Sequence, residues 1–477
     1  MDILERHDAT ALAGLVASGE ASPVELTEAA IARIEHLDPD LNAVIHRSFD
    51  KALEAAKSGD LADGPFRGVP FLLKDLWPTS AGDPFHCGVG ALKAAGYVHP
   101  TDANLVRRYR QAGLVLVGRT NTPELGLVAT TEPLSYGPTR NPWDLQRGPG
   151  GSSGGAAAAV AAGMVPAANA SDGGGSIRIP AALCGLVGLK PSRGRVSMGP
   201  MQDEWGLSVQ HVVCHTVRDC AGLLDVSALP FAGDGVIAPA PERPYTSEVG
   251  VDPGPLRIGV LDHALHTDTD PDCTAAALAG ARQLAELGHD VGEGHPEALQ
   301  IGAELGEVFT NQWAVNCRAN LAALGALLGR ELTEADVEPG TWMLAEMGSG
   351  LDALTIVRGA SVQARFRRDM AQWWADGYDL LLTPTTAARA PMLGDLVATA
   401  SEPLRALRRS APYATFTSPF NVTGQPAISL PLHRDRDGLP LGVQLVAAYG
   451  REDMLLRVAA QLEEAVGWAA ERAPLHP

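Results

Sequence analysis

The sequence predicts an α/β fold, a twisted sheet flanked by helices, on three observations. Short apolar runs recur at Val69–Leu73, Leu114–Gly118, Arg257–Leu261, Asp379–Thr383, Ala427–Leu432 and Val443–Ala447. Helical patterns at 102–112 and 270–287 alternate with them, the grammar of strand, helix and parallel strand. The chain has 477 residues, 45% hydrophobic and 19% charged, enough to bury a large core. That alternation points to a largely parallel sheet. No repeat and no low-complexity segment interrupts it.

Taken in order, residues 8–37 read as two helices. Ser22-Pro23-Val24-Glu25 forms a capping box with proline at the first helical position, and Leu26, Ala30, Ile34 and Leu37 make the apolar stripe behind it. Residues 59–65 are a turn-rich link into Val69–Leu73. Residues 232–256 are rich in Pro, Gly and Ala, a composition that fits either an interdomain linker or a surface loop. Residues of about 295–375 carry Trp313, Trp342, Met343, Met347, Trp373 and Trp374 on helical-looking segments. They make either a helical cap over a site or plain core, and core is the reading adopted for most of them.

The chemistry concentrates in two glycine turns, Gly148-Pro149-Gly150-Gly151-Ser152-Ser153-Gly154-Gly155 and Asp172-Gly173-Gly174-Gly175-Ser176. Glycines let a ligand approach the backbone, and consecutive free N–H groups collect an anion or a developing oxyanion. Ser176 follows Ser152 by 24 residues, room for a helix and a return strand that bring both serines to one place. Upstream, Lys74 closes an apolar strand. Such a lysine either snorkels to water or, if buried, loses its proton near neutrality and becomes a base.

Competing motifs are weaker. Gly150-Gly151-Ser152-Ser153-Gly154 fits the G-x-S-x-G elbow, but the loop-like stretch 140–149 stands where that elbow needs a strand. No Gly-Lys-Ser/Thr follows the glycines, which disfavours a phosphate loop. His211 and His215 have the spacing of a metal face on a helix, yet lie in an apolar run where satisfied core histidines are the simpler reading. No metal and no cofactor is expected.

A net charge of −19 argues against nucleic acid or anionic membrane as partner. No apolar run reaches the length of a membrane span, and Met1-Asp2-Ile3-Leu4-Glu5-Arg6 lacks a signal-peptide core. Six scattered cysteines without C-x-x-C spacing suit reduced thiols in the cytoplasm.

Taken jointly, several segments resemble the amidase signature family of serine hydrolases. They are Gly68-Val69-Pro70-Phe71-Leu72-Leu73-Lys74-Asp75, the two glycine turns, Cys184–Ser192, Phe420–Ala427 and Gly438–Gln444. The likeness runs to about residue 450. It implies one domain over residues 1–477, a central mixed sheet, and a signature core of about 68–200. By this resemblance Ser176 is the nucleophile, Ser152 the serine relaying a proton, with a cis peptide bond before it, and Lys74 the base. Backbone N–H groups of Gly173, Gly174, Gly175 and Ser176 would form the oxyanion hole. The usual Thr-Asp-x-Gly-Gly-Ser is here Ser171-Asp172-Gly173-Gly174-Gly175-Ser176. Asp172 and Arg178 would pair beside the site, and Ser153 would orient Ser152 or Lys74.

Within the family the resemblance is to amidases acting on 6-aminohexanoate cyclic dimer and related aryl or linear amides, through Gly206–His211, Thr216–Asp219 and Asn311–Cys317. It makes Asn311 and Cys317 candidate substrate contacts, with Leu76–Gly90 lining the same pocket. The implied activity is hydrolysis of amides through an acyl-enzyme, with esters and carbamates as further substrates, by a monomer or homodimer. The alternative is a partner-dependent transamidation subunit acting on aminoacyl-tRNA. Against it, Gly194-Arg195-Val196-Ser197 runs into Met198–Trp205 rather than the Ser-Ser-Leu-Asp segment of those subunits.

Overall fold

A computed structural model describes residues 3–203 and 206–474. Met1 and Asp2, and Glu204 and Trp205 at the end of the segment that departs from the transamidation subunits, lie outside the described residues. The centre is one eleven-stranded sheet. In chain order its strands are β1 (Val44–Arg47), β2 (Pro70–Lys74), β3 (Val115–Thr120), β4 (Ala167–Asp172), β5 (Val187–Lys190) and β6 (Val209–Cys214). They continue with β7 (Arg257–Val260), β8 (Asp290–Glu293), β9 (Leu380–Pro384), β10 (Ala427–Arg434) and β11 (Pro440–Ala447). Across the sheet the order is β1-β3-β2-β4-β6-β5-β10-β11-β9-β7-β8.

The sheet is mixed. β2 is parallel to β3 and β4, and β7 to β8 and β9. The strands between them, β4-β6-β5-β10-β11-β9, pair antiparallel. The largely parallel sheet read from alternation is therefore corrected, because hairpin-like returns such as β10–β11 carry no helix between strands. The mixed sheet implied by the family resemblance is the one found.

Local signals hold. The capping box is made in full: Ser22 N–H donates to Glu25 (2.8 Å) and Glu25 N–H to Ser22 Oγ (3.2 Å). Between the two serine turns stand the helix Gly154–Ala161 and β4, both wholly buried. Small side chains are obligatory in that helix. A Cβ on Gly155 would sit 2.5 Å from the Asn121 backbone nitrogen. His211 lies on β6, not on a helix. Its Nε2 is 3.6 Å from Cys220 Sγ, and His215 Nε2 bonds the Val160 carbonyl at 3.0 Å. No metal-ligating cluster occurs among the described residues.

The helix Gly302–Leu327 packs against both Pro339–Ser349 and Ala353–Ala375. Their apolar sides build two cores separate from the main one, around Leu344 and around Phe366. No helix of the described residues is long and apolar enough to cross a membrane.

Candidate active site

β2 sits between β3 and β4, so Pro70-Phe71-Leu72-Leu73 is covered on all sides and Lys74 is carried inward with it. Lys74 is fully buried. Its Nζ lies 2.7 Å from Ser152 Oγ, 2.9 Å from Ser153 Oγ and 2.9 Å from Ser171 Oγ. Burial pulls its pKa from 10.5 to about 7, against the opposing pull of Asp172 and Cys87. Asp75 is not that opposing charge. Its carboxylate turns away to Arg119, whose Nε donates to it at 3.1 Å.

Ser152 follows a cis Gly151–Ser152 peptide bond. The next residue, Ser153, donates its N–H to the Ser176 carbonyl (3.3 Å) and its hydroxyl to the Ser171 carbonyl (3.2 Å). This ties the first glycine turn to the second. Ser176 and Gly174 are half-exposed and open, with Gly151, into a cavity of about 360 Å³.

The second turn is held by a buried ion pair. Arg178 Nε and Nη2 fork onto the Asp172 carboxylate at 2.9 Å each. Arg178 also donates to Gln444 (2.7 Å), Asn421 (2.7 Å) and the Thr417 carbonyl (2.9 Å). Burial alone would raise the Asp172 pKa, but Arg178, with help from Lys190 and Asn421, brings it down to about 2. Asp172 in turn accepts from the N–H groups of Gly175 (2.7 Å) and Ile177 (3.1 Å).

That contact corrects one expectation. The Gly175 N–H is already committed to Asp172 and is not a free oxyanion donor. The N–H groups of Gly173, Gly174 and Ser176 have no partner among the described residues. Gly175 has φ +137°, and a Cβ there would meet Thr417 Oγ1 at 2.3 Å. The extra glycine of the motif is Gly173, where a Cβ would meet Ser208 Oγ and Trp313 Cη2 at 2.8 Å each.

Asn311 and Cys317 are also corrected. Both lie on the helix Gly302–Leu327, but the cavity is lined by Leu305, Phe309 and Trp313. Cys317 comes one turn beyond Trp313, where the same helix face meets Leu344 and Ala345. Its Sγ reaches the Thr341 carbonyl at 3.5 Å inside that core. Asn311 faces the helix Ala353–Ala375 with Val308 and Gln312. Residues 76–90 do not line the cavity either, and nor do residues 340–375. Its remaining walls come from residues 126–129, 261–267 and 407–422.

Sequence reasoning missed Ser171 as a third hydroxyl on Lys74, Gln444 and Asn421 as the clamp on Arg178, and Phe309 as cavity wall, whereas Trp313, which does line the cavity, lies in the Asn311–Cys317 segment singled out above. Gln444 had a signal, a lone amide inside the apolar strand β11. Phe309 had none.

Lys74 with three hydroxyls around its Nζ thus lies beside a glycine turn whose Gly174 and Ser176 open into a cavity, an arrangement suited to hydrolase chemistry. The chain belongs to the amidase signature family: the family model described as Amidase matches residues 25–456. As a member it is a hydrolase of amide C–N bonds. It is 45% identical to the 6-aminohexanoate-cyclic-dimer hydrolase of Paenarthrobacter ureafaciens, over 98% of this chain and 97% of that one. A solved structure of 6-aminohexanoate cyclic dimer hydrolase superposes with TM-score 0.96 at 44% identity, covering 100% of both chains. A bacterial aryl acylamidase of the amidase signature family superposes with TM-score 0.87 at 28% identity, over 98% of this chain and 99% of that one.

Proposed function

We propose that the chain hydrolyses uncharged amides, 6-aminohexanoate cyclic dimer among them, through an acyl-enzyme on Ser176. The observation that carries the chemistry is Lys74 Nζ, buried and 2.7 Å from Ser152 Oγ. In this reading neutral Lys74 takes the proton of Ser152 as Ser152 takes that of Ser176. Ser176 Oγ attacks the amide carbon. The oxyanion is received by N–H groups of Gly173, Gly174 and Ser176. Collapse breaks the C–N bond, and the amine leaves with the proton returned through Ser152. Water, deprotonated by the same relay, then attacks the ester and releases a carboxylic acid.

The cavity supports the substrate class. Its lining contains no Asp, Glu, Lys or Arg, and Leu127, Leu305, Phe309, Trp313 and Phe416 supply an apolar wall. A ring closed by two amides has no free ammonium or carboxylate, so nothing in it asks for a counter-charge. Esters and carbamates pass through the same tetrahedral oxyanion and are further substrates in this reading. The enzyme acts alone, as a monomer or homodimer, in the cytoplasm and without nucleic acid. Six unpaired buried cysteines and the net charge of −19 support that setting.

The test is turnover by the purified chain of a panel: the cyclic dimer, an aryl amide, a linear amide with charged ends, an ester and a carbamate. Preference for uncharged members supports the proposal. Turnover only with an added partner protein would favour a transamidation subunit, and preference for charged linear amides would reject the assigned cavity.

A further inference from the structure

A second cavity lies on the far side of the segment Phe420–Thr423, away from Ser176. It has a volume of about 690 Å³ and is lined by Arg193, Arg367, Gln363, Gln425, Trp374 and Tyr449, together with Thr423 and small apolar residues. No Asp or Glu lines it. That is unusual for this protein, whose charge is −19 and whose arginines, such as Arg389, Arg436, Arg434 and Arg243, are held by carboxylates.

Arg193 enters the cavity from the loop after β5. Its Nη2 donates to the carbonyls of Asn421 and Val422, and its Nε is buried with no partner. Across the cavity, Arg367 projects from the helix Ala353–Ala375, exposed and without an ion-pair partner among the described residues. Burial, joined by the charge of Arg367 and opposed by Tyr449, lowers the Arg193 pKa to about 10. Two guanidiniums facing one space repel unless an anion lies between them. At the inner end Gln425, 4% exposed, has its Oε1 buried and unpartnered while its Nε2 bonds the Ala447 carbonyl at 3.1 Å.

We propose that this cavity is a binding site, separate from the catalytic one, for a small organic carboxylate. The anion bridges Arg193 and Arg367, where planar guanidiniums match a carboxylate's two oxygens. An N–H or O–H group of the same molecule donates to Gln425 Oε1, and its hydrocarbon part lies along Trp374. The site adjoins the catalytic support, since Asn421, whose carbonyl Arg193 holds, donates through Nδ2 to Asp172 at 2.9 Å.

The test is calorimetric titration of the Ser176→Ala chain with 6-acetamidohexanoate, hexanoate and the neutral N-hexylacetamide. Removing Ser176 prevents turnover, so the result does not depend on the proposed reaction. Saturable binding of 6-acetamidohexanoate at one per chain is expected, with hexanoate weaker because it lacks the donor for Gln425. In the same background Arg367→Glu should weaken both carboxylates by at least about tenfold, ~1.4 kcal/mol, and Arg367→Lys by less. Arg367 is exposed, so these variants should fold. Occupation of the catalytic cavity instead would show as binding of N-hexylacetamide and of the carboxylates that Arg367→Glu leaves unchanged. That result, or no saturable carboxylate binding, overturns the proposal.

Discussion

Asp172 Oδ1 accepts the N–H of Gly175 at 2.7 Å while the same carboxylate is forked by Arg178, with both side chains wholly buried. The ion pair thus fixes the backbone turn on which Ser176 stands. It acts on the reaction through the shape of that turn.

Removing half of this pair leaves a buried charge alone. Asp172→Asn should lower unfolding free energy by about 3–5 kcal/mol, read by denaturant unfolding. The pH dependence has a definite sign. The folded pKa of about 2 lies below the ordinary 3.8, so the pair's contribution is present above pH 3.8 and lost as pH falls towards 2. The variant should lack that acid-side loss.

Ser176→Ala should fold normally and lose essentially all amide turnover. A fluorophosphonate probe should label the wild type at Ser176, as peptide mass spectrometry would show. An adduct on Ser152 or Ser153 would reassign the nucleophile.

For Lys74, the lowered pKa of about 7 predicts that kcat/KM rises with pH through neutrality and then levels. Lys74→Ala should cost amide hydrolysis far more than hydrolysis of an activated ester, whose leaving group needs no proton. Lys74→Arg should not restore it, since guanidinium stays charged. Retention of amide activity within about tenfold, ~1.4 kcal/mol, would remove Lys74 from the mechanism. Folding is linked too. Between pH 7 and 10.5 the unfolded chain holds a proton on Lys74 that the folded chain lacks, so stability should rise with pH there. Lys74→Met should abolish that rise.

Trp313→Ala should enlarge the cavity and reorder relative rates among amides of different bulk while Ser176 stays reactive to a small probe. Cys317→Phe is the contrasting variant. It should cost about 1–3 kcal/mol by overpacking a filled core, with substrate ranking unchanged. A changed ranking in the second variant would put Cys317 back in the substrate's path.

What the sequence determined by itself was local or covalent in origin. The capping box at Ser22 and Glu25, the strand ending in Lys74 and the helix between two glycine turns all follow from short-range rules, because each depends on residues a few positions apart. The family motifs brought Lys74, Ser152, Ser153, Asp172, Ser176 and Arg178 into one expected site, and Lys74 does meet Ser152 and Ser153 there. Tertiary structure decided the rest. Which N–H is spent on Asp172 depends on a backbone turn closing within a bond length. Whether a helix residue such as Cys317 meets substrate or core depends on where the neighbouring helix Pro339–Ser349 lands. The cavity wall joins residues 126–129 to 302–313 and 407–422, segments far apart in the chain that only packing brings together. No periodicity encodes such a meeting, because the contact is paid for by burial in three dimensions and not by any local preference.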